Sequence, residues 1–410
     1  MATKREVNIR DVEHVRICGD KPLYCAHPRQ GGLWNFGGGE LAVIHHHAPW
    51  PYAEKHPMHG FGNGYKSQCV WMLNRSTDGG LTWPEEENVV VYDETISFDD
   101  KRELVFGEVA EREVIDLASP DSMVVFGRTW LGEISGKDGV EVFGALGKDH
   151  EGPDPGKCLT TCIALRSADR GRTWESKPTV IYGPAKRRCE IIGYSTALMP
   201  DGSMIMTASL HPPSCSAIYG TDDNGLSWEF LSVAGSVTTS LGGMTYPGLV
   251  ALPDGRVQCY MLEICGSTHS IVVAESPDCY NWSRPRSILR WGHSPWRGRI
   301  RPGAQPAQSP FPGHVFYRSP WPLLLADCRI IVVFGRRKPP YGIGAVISED
   351  EGATWSDEFV IRDDASGTDV GYCLATEIEP GRLFAAYYFM VEDGVPHGGA
   401  RHIAGSLFTV

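Results

Sequence analysis

The stretch SEDEGATW at residues 348–355 carries an acid, a glycine and a tryptophan at a spacing that returns along the chain. The shared pattern is S/T-x-D-x-G-x-x-W, and a shorter copy without the glycine, SPDCYNW, occupies residues 276–282. The other full copies are STDGGLTW at 76–83, SADRGRTW at 167–174 and TDDNGLSW at 221–228. A return on a unit of about 54 residues, with insertions, indicates that one structural unit recurs.

Each copy predicts a tight turn between two strands. The aspartate can accept hydrogen bonds from backbone N–H groups of its own turn, and glycine adopts positive φ without a steric penalty. The tryptophan offers an apolar plate that can pack between neighbouring units. Strand-like runs flank the copies, such as CVWMLNR before the first and NVVVY after it. A structural role is therefore predicted for Asp78, Asp169, Asp223 and Asp350.

A second turn signal precedes these hairpins and completes a four-stranded unit. It occurs as LMPDGSMIM at 198–206, LVALPDGRVQCY at 249–260 and IEPGRLFAAYY at 378–388. Six units are counted, and their second strands are predicted to begin near Glu40, Ser122, Ser203, Arg256, Arg329 and Arg382. The sixth unit lacks a fourth strand, which the N-terminal REVNIRDVEHVRI could supply.

The sequence therefore predicts an all-β fold, a six-bladed β-propeller of four-stranded antiparallel blades. The N-terminal strand is expected to close the ring, and one domain is expected over residues 1–410. Two stacked sandwiches would also use many short strands, but the regular return of one turn motif favours the propeller.

Composition excludes several classes of function. A formal net charge of −12 argues against a nucleic-acid surface, because phosphate binding needs clustered Lys and Arg. No run of about 18 apolar residues is present, so no membrane association is expected. The N-terminus is charged and lacks an apolar signal core, which predicts a cytoplasmic protein for the sequence as it stands.

The twelve cysteines are scattered. Cys158 and Cys162 form a C-x3-C pair without a second half, which does not predict a zinc site. Reduced and mostly buried thiols are expected, with no metal and no cofactor.

The repeat resembles the Asp-box of the sialidase (neuraminidase) superfamily, whose six-bladed propellers carry this motif. Two segments sharpen the resemblance, VVFGRRKPPYGIGAVISEDEGATW at 332–355 and DVGYCLATEIEPGRLFAAYYF at 369–389. They are similar to a bacterial branch of sialidase-like (BNR-repeat) proteins, in which an arginine and a P-Y-G element precede an Asp-box and a D-x-G-Y element. The resemblance covers nearly the whole chain.

The resemblance implies a site of three arginines that bind the substrate carboxylate, a nucleophilic tyrosine paired with a glutamate, and an aspartate as acid/base. It assigns Arg336 to the arginines and Tyr372 to the nucleophile. The family's early Arg-Ile-Pro motif is replaced by CAHPRQ at 25–30. The Arg and Asp expected after the second strand of the first blade are replaced by HHHAPWPY at 45–52.

Strand direction alternates within a blade, so the Asp-box turns and the P-D-G turns share one face of the disc. Long aromatic and charged loops gather on the opposite face, where a binding site is expected. Catalytic candidates on that face are Tyr372, Asp369, Glu190, Glu263, His45 and His47. Substrate-binding candidates are Arg336, Arg128, Arg299, Tyr246, Tyr194, His59 and Tyr341.

Five histidines, His45, His46, His47, His56 and His59, fall within 15 residues. On a strand, the first and third would point the same way and the second the other way. General acid/base catalysis, a metal site that includes the last two, and a polar loop bonded to backbone all stay open.

Three functions remain. In an exo-acting glycoside hydrolase, Arg336 with Arg128 or Arg299 would bind the anion of a terminal acidic sugar. Tyr372 would attack or stabilise the oxocarbenium-like centre, activated by one of the carboxylates, and a first-blade histidine or carboxylate would protonate the leaving oxygen. A polysaccharide lyase would instead use His and Tyr to cleave a uronic-acid glycan. A non-catalytic glycan-binding propeller is the third. A glycan partner is common to all three.

Overall fold

The computed structural model describes residues 6–20, 22–28, 32–53, 69–109, 111–132, 160–184, 190–211, 214–237, 242–265, 268–291 and 316–410. Within these ranges the chain forms six antiparallel sheets arranged as the blades of a propeller. The prediction of a six-bladed β-propeller is confirmed.

The strands follow one another blade by blade, except that β1 (Arg10–Cys18) belongs to the last blade. Blade 1 contains β2 (Leu23–Ala26), β3 (Gly32–Gly37), β4 (Glu40–Pro49), β5 (Val70–Ser76) and β6 (Val89–Asp93). Helix α1 (Phe98–Phe106) follows, with Ser97 as its N-cap. Blade 2 contains β7 (Met123–Trp130), β8 (Thr160–Ser167) and β9 (Thr179–Ile181).

The other four blades have four strands each. Blade 3 contains β10 (Glu190–Leu198), β11 (Met204–His211), β12 (Cys215–Thr221) and β13 (Glu229–Ser236). Blade 4 contains β14 (Gly242–Ala251), β15 (Val257–Cys265), β16 (Thr268–Ser276) and β17 (Arg286–Trp291). Blade 5 contains β18 (Tyr317–Leu324), β19 (Ile330–Arg336), β20 (Gly342–Ser348) and β21 (Phe359–Arg362). Blade 6 contains β22 (Gly371–Glu379), β23 (Arg382–Phe389), β24 (His402–Thr409) and β1.

The turn signals located the strands closely. The second strands of the six blades begin within one residue of the predicted starts, at Glu40, Met123, Met204, Val257, Ile330 and Arg382. The N-terminal strand closes the ring as predicted, because β1 pairs with β24 from Arg10↔Thr409 to Cys18↔Ile403.

Two blades depart from four strands. In blade 1 the first strand is divided, and β2 and β3 pair with successive halves of β4. In blade 2 the structure describes three strands, since residues 111–118 do not pair. The backbone N–H of Leu117 donates instead to Asn224 Oδ1 at 3.1 Å, in the Asp-box turn of blade 3. A hydrogen bond to the neighbouring turn, rather than pairing with a strand, therefore contacts this segment.

The core lies between neighbouring blades. Alternate residues of β15 serve two interfaces: Met261 packs with residues of blade 3, and Tyr260 packs with residues of blade 5. Each fully buried apolar side chain contributes about 1.5–3 kcal/mol relative to exposure, so these layers hold the blades in order. Among the residues that the structure describes, no helix is long and apolar enough to cross a membrane.

Each Asp-box turn is held by its own side chains. In the last copy, Asp350 accepts hydrogen bonds from Ser348 Oγ at 2.8 Å and from the Thr354 backbone N–H at 2.7 Å. Gly352 adopts φ +81° and its carbonyl accepts from Trp355 Nε1 at 3.0 Å. Burial raises the pKa of the Asp350 carboxyl, but the hydrogen bonds from Thr354 and Ser348 together outweigh it and lower that pKa. The carboxylate is fully occupied within the turn.

The Asp-box turns share one face with the turns that join first and second strands. The backbone N–H of Gly79 donates to Gly39 O at 2.9 Å, which joins the two turns of blade 1. Arg256, in the P-D-G turn of blade 4, donates to Glu351 in the Asp-box turn of blade 5 at 2.6 Å. We call this side the Asp-box face, and the opposite side the mouth face.

Candidate functional site

The first strands of blades 4, 5 and 6 each carry a bulge near the mouth face. Register shifts interrupt the pairing of β14 with β15, β18 with β19 and β22 with β23. At each bulge a non-glycine residue adopts positive φ, namely Tyr246 (53°), Ser319 (51°) and Tyr372 (55°). Such a backbone conformation costs about 1–3 kcal/mol and tends to occur at functional sites. The repeated bulge turns side chains of three blades toward one another.

The hydroxyl of Tyr372 is the point where these blades meet. Arg318 Nη2 donates a hydrogen bond to it at 2.5 Å, and the hydroxyl of Tyr246 lies 3.2 Å away. The guanidinium of Arg318 stacks 4.3 Å from the ring centroid of Tyr246 and 5.0 Å from that of Tyr372. Burial raises the pKa of Tyr246 well above its usual value, so this phenol stays protonated. Three blades thus surround one phenol oxygen with a cation and a neutral hydroxyl.

A second group of residues, centred on Asp369 and Tyr388, lies next to Tyr372. The carboxylate of Asp369 accepts a hydrogen bond from the hydroxyl of Tyr388 and another from Arg401 Nε at 3.1 Å. Arg337 Nη2 donates to the same hydroxyl of Tyr388 at 2.8 Å. Burial would raise the pKa of Asp369, but Arg337, Tyr388 and Arg401 outweigh it and lower that pKa. Asp369 therefore holds a fixed negative charge next to the ring of Tyr388, which is 5.5 Å from that of Tyr372.

Blade 1 contributes histidines to this centre. His27 follows β2 with φ +59°, and its ring meets that of Tyr372 edge-on at 5.0 Å. His46 lies 5.9 Å from His27 and packs on Trp71. The resemblance places the missing Arg-Ile-Pro motif near Ala26–Pro28, so His27 lies within the segment that this motif would occupy.

Blades 2 and 3 complete the ring of polar and aromatic groups. Arg128, at the mouth-face end of β7, lies 4.7 Å over the ring of Trp130. Desolvation lowers the pKa of Arg128 to about 10, and the guanidinium interacts electrostatically with Tyr194 and Tyr372. The ring of Tyr194 is 5.9 Å from that of Tyr246. Arg128, Tyr194, Tyr246 and Tyr372, all candidates from the sequence, thus lie close to one another in the structure.

The side chain of Arg336 has different partners from that of its neighbour Arg337. Its Nε donates to Glu358 at 2.7 Å and its Nη1 to the carbonyl of Pro340, while Lys338 also binds Glu358 at 2.5 Å. Consecutive residues at a strand end point to opposite sides, so Arg337 rather than Arg336 reaches Tyr388 and Asp369. The arginine that the resemblance selects is held in an ion pair of blade 5.

The remaining candidates either lie elsewhere on the described strands or fall outside the described residues. Glu263 shares one side of β15 with Met261, the side that packs against blade 3. Tyr341 precedes β20, and its carbonyl accepts a hydrogen bond from Ala365 at 3.3 Å. Glu190 begins β10, and its side chain lies outside the described part of the chain. The same is true of Arg299, His56 and His59.

The histidines of β4 alternate as predicted. His46 faces His27, and the rings of His45 and His47 lie 5.8 Å from each other on the other side of the strand. His45 Nε2 is bonded to Asn74 Oδ1 at 2.6 Å and its Nδ1 to the carbonyl of His46 at 3.2 Å. His46, not one of the catalytic candidates, is therefore the strand histidine that approaches His27, which in turn contacts Tyr372.

His27, Arg318, Tyr388 and Arg401 also belong to this centre and are absent from the candidates that the sequence suggests. Arg318 could have been found from the sequence. It lies near the start of a first strand in the tripeptide R-S-P, and the similar tripeptide T-Y-P forms the bulge in the first strand of blade 4. The other three required the pairing of distant strands.

No protein-family model matches the chain, and no curated protein sequence does. Solved structures match its fold over most of its length. A protein of unknown function from Dyadobacter fermentans is 21% identical with a TM-score of 0.66, and the match covers 98% of this chain and 99% of that one. The Hadza microbial sialidase Hz136 is 17% identical with a TM-score of 0.60, covering 94% of this chain and 66% of that one. A K499G mutant of the NanB sialidase from Streptococcus pneumoniae is 12% identical with a TM-score of 0.59, covering 94% and 68%. The chain has the fold of a sialidase propeller.

Proposed function

We propose that the chain is a glycoside hydrolase that removes a terminal acidic sugar from a glycan. The observation that carries the proposal is the hydroxyl of Tyr372, held at 2.5 Å by Arg318 on the mouth face of the propeller. The sialidase name of two structural neighbours points to the same class of substrate. Here Tyr372 is the nucleophile, and the sugar lies against the rings of Tyr246 and Tyr194.

The cations of the mouth face suit an acidic substrate. A guanidinium presents several N–H donors in a plane and binds a carboxylate bidentately. Arg318 uses Nη2 on Tyr372, and its buried Nε has no hydrogen-bond partner within the described ranges. We assign the sugar carboxylate to Arg318, with Arg128 as the second cation. A fixed cation also stabilises negative charge that develops on the attacking oxygen.

The acid/base role falls to blade 1 in this proposal. The resemblance implies an aspartate there, and the sequence has histidines instead. His27 is in edge contact with Tyr372, and a histidine can donate a proton near neutral pH. We assign His27 as the proton donor to the leaving oxygen. Asp369, bound by Tyr388 and Arg401, is a positioning residue that keeps Tyr388 oriented behind the nucleophile.

One observation favours a polysaccharide lyase as the second candidate. Within the described part of the chain, the hydroxyl of Tyr372 has hydrogen bonds with Arg318 and Tyr246, and neither is the carboxylate that a sialidase nucleophile uses. A tyrosine between an arginine and a histidine also suits β-elimination. Arg318 would neutralise a uronate carboxylate and acidify the C5 proton, and Tyr372 or His27 would remove that proton.

The test is a screen of the wild-type protein on glycans that end in sialic or uronic acids, with neutral-terminated counterparts. Free acidic sugar is measured by mass spectrometry, and unsaturated product by its ultraviolet absorption. The proposal expects saturated sugar release from acidic substrates, and at least about a 100-fold lower kcat/KM in Arg318→Met. Arg290→Met, an exposed arginine on β17, is the matched control and should be unaffected. Unsaturated product would show that the chain is a lyase and not a hydrolase. Glycan binding without any product would show that it is a non-catalytic glycan-binding propeller.

A further inference from the structure

Three side chains of types that can bind a metal ion lie together at the seam between blade 6 and blade 1, where the ring closes. Cys18 is the last residue of β1 in blade 6, opposite Ile403 of β24. Cys25 of β2 and His47 of β4 face each other across the sheet of blade 1. The backbone N–H of Cys25 donates to Arg401 O at 3.0 Å, which ties the two blades together at this level. Both blades therefore contribute to one cluster.

The distances within the cluster fit a common ion. The two sulfur atoms and a ring nitrogen of His47 all lie within 4.8 Å of one another, and the Sγ atoms of Cys18 and Cys25 are 3.9 Å apart. A disulfide would need about 2.05 Å between them. Two thiolates on one tetrahedral zinc, each with a bond of about 2.3 Å, are separated by about 3.8 Å. The thiols are spaced as ligands of one metal and not as a disulfide.

An unsatisfied ring nitrogen is the second, independent observation. His47 Nδ1 is buried and has no hydrogen-bond partner among the residues that the structure describes. A buried polar atom without a partner is unfavourable, and coordination through that nitrogen would remove the cost. His45, whose ring is 5.8 Å from that of His47, is held by Asn74 just outside the three ligands. It can support the site or complete it.

We propose that Cys18, Cys25 and His47 bind one zinc ion that fastens blade 6 to blade 1. Thiolates and imidazole are the ligands that zinc prefers, and three protein ligands leave a fourth position for water or His45. Cys25 belongs to the buried cluster that also contains Tyr372 and Ile403, and Cys18 packs against that cluster. The ion therefore stabilises the ring closure, and its loss leaves the hydrogen bonds and the apolar packing of this seam.

The experiment uses the full chain, reduced and stripped with a chelator, and titrates it with zinc against a chromophoric competitor. One equivalent of zinc should bind and raise Tm, and cobalt(II) in its place should give a thiolate-to-metal charge-transfer band. Cys18→Ser and His47→Gln should lose the tight equivalent and the rise in Tm. Cys328→Ser, an exposed cysteine in the turn after β18, should bind as the wild type does.

Circular dichroism of the metal-free variants establishes that each is folded. Absence of a stoichiometric equivalent in the reduced wild-type chain would overturn the site. So would zinc binding of wild-type affinity in both Cys18→Ser and His47→Gln. A Cys18–Cys25 disulfide in a chain that binds no zinc after reduction would show that the pair is a thiol couple instead.

Discussion

The two faces of the propeller use polar side chains in opposite ways. On the Asp-box face, the hydrogen bonds of Asp350 join residues two to four positions apart, and the carboxylate is satisfied within one turn. On the mouth face, the hydroxyl of Tyr372 meets Arg318 from 54 residues away and Tyr246 from 126 residues away. The Asp-box hydrogen bonds are local and recur from turn to turn, whereas the hydrogen bonds of Tyr372 join strands of different blades and occur once.

This difference separates stability from chemistry. A carboxylate whose oxygens are bonded within a turn has no capacity left for a substrate, whatever its resemblance to a catalytic acid. A phenol held by a cation from another blade is positioned only when both blades are in place. Substitutions on the Asp-box face should therefore change unfolding alone, and substitutions where blades meet at the mouth face should change turnover.

The largest effect is expected where blades 5 and 6 touch. A Cβ on Gly335 would lie 2.7 Å from the Cα of Gly371 and 3.0 Å from the carbonyl oxygen of Val370. Since these are backbone atoms, Gly335→Ala must push blade 6 away from blade 5, with a loss of about 1–3 kcal/mol in the free energy of unfolding. It should also draw Tyr372 away from Arg318 and lower kcat. Urea unfolding and initial rates measure both.

Gly202→Ala is the matched control on the Asp-box face. Gly202 has φ +87° and no atom within 4 Å of an added Cβ. Alanine there costs about 1–2 kcal/mol of backbone strain but moves no blade. Its kcat should match that of the wild type. Equal kcat in the two variants would contradict the separation of the faces.

The sequence predicted the Asp-box face well and the mouth face in part. A P-D-G turn such as 253–255 encodes its own geometry, which is why the starts of the second strands were located to within one residue. Tyr372, Tyr246, Tyr194 and Arg128 followed from their positions at strand ends. Arg336 did not reach Tyr372, because one residue of register decides which of two adjacent arginines faces inward.

His27 and the Cys18–Cys25 pair could not be predicted for a different reason. Their surroundings come from strands at the two ends of the chain that meet only when β1 pairs with β24. Spacing along the sequence carries no record of that closure. Long-range contacts of this kind appear once the ring is built.

A smaller effect distinguishes the faces by pH. On the mouth face, His269 Nδ1 accepts a hydrogen bond from the Phe316 backbone N–H at 3.0 Å, and burial lowers the pKa of this histidine to about 4. Between pH 6.5 and 4 the unfolded chain binds a proton that the folded chain does not. The free energy of unfolding should thus fall with decreasing pH, by up to about 1.4 kcal/mol per pH unit.

His269→Asn should remove this histidine's share of the slope, because asparagine offers an acceptor that does not titrate. His402, whose pKa burial also lowers to about 4, contributes to the same window and should keep its share. His211→Asn, at an exposed histidine of β11, should leave the slope intact. The Asp-box carboxyls have lowered pKa values, so their contribution is lost only below the ordinary aspartate pKa, as in Asp350. Denaturant unfolding from pH 7 to pH 2 reports both windows. An unchanged slope in His269→Asn would rule out this assignment.

The most direct test compares one substitution on each face. For both variants, kcat/KM is measured on an acid-terminated substrate and the unfolding midpoint is measured separately. Tyr372→Phe should lower kcat/KM at least about 100-fold while the midpoint stays near that of the wild type. Asp350→Ala should cost about 1–2 kcal/mol of stability and leave kcat/KM unchanged. Near-normal turnover by a folded Tyr372→Phe protein, or a loss of activity confined to Asp350→Ala, would contradict the account.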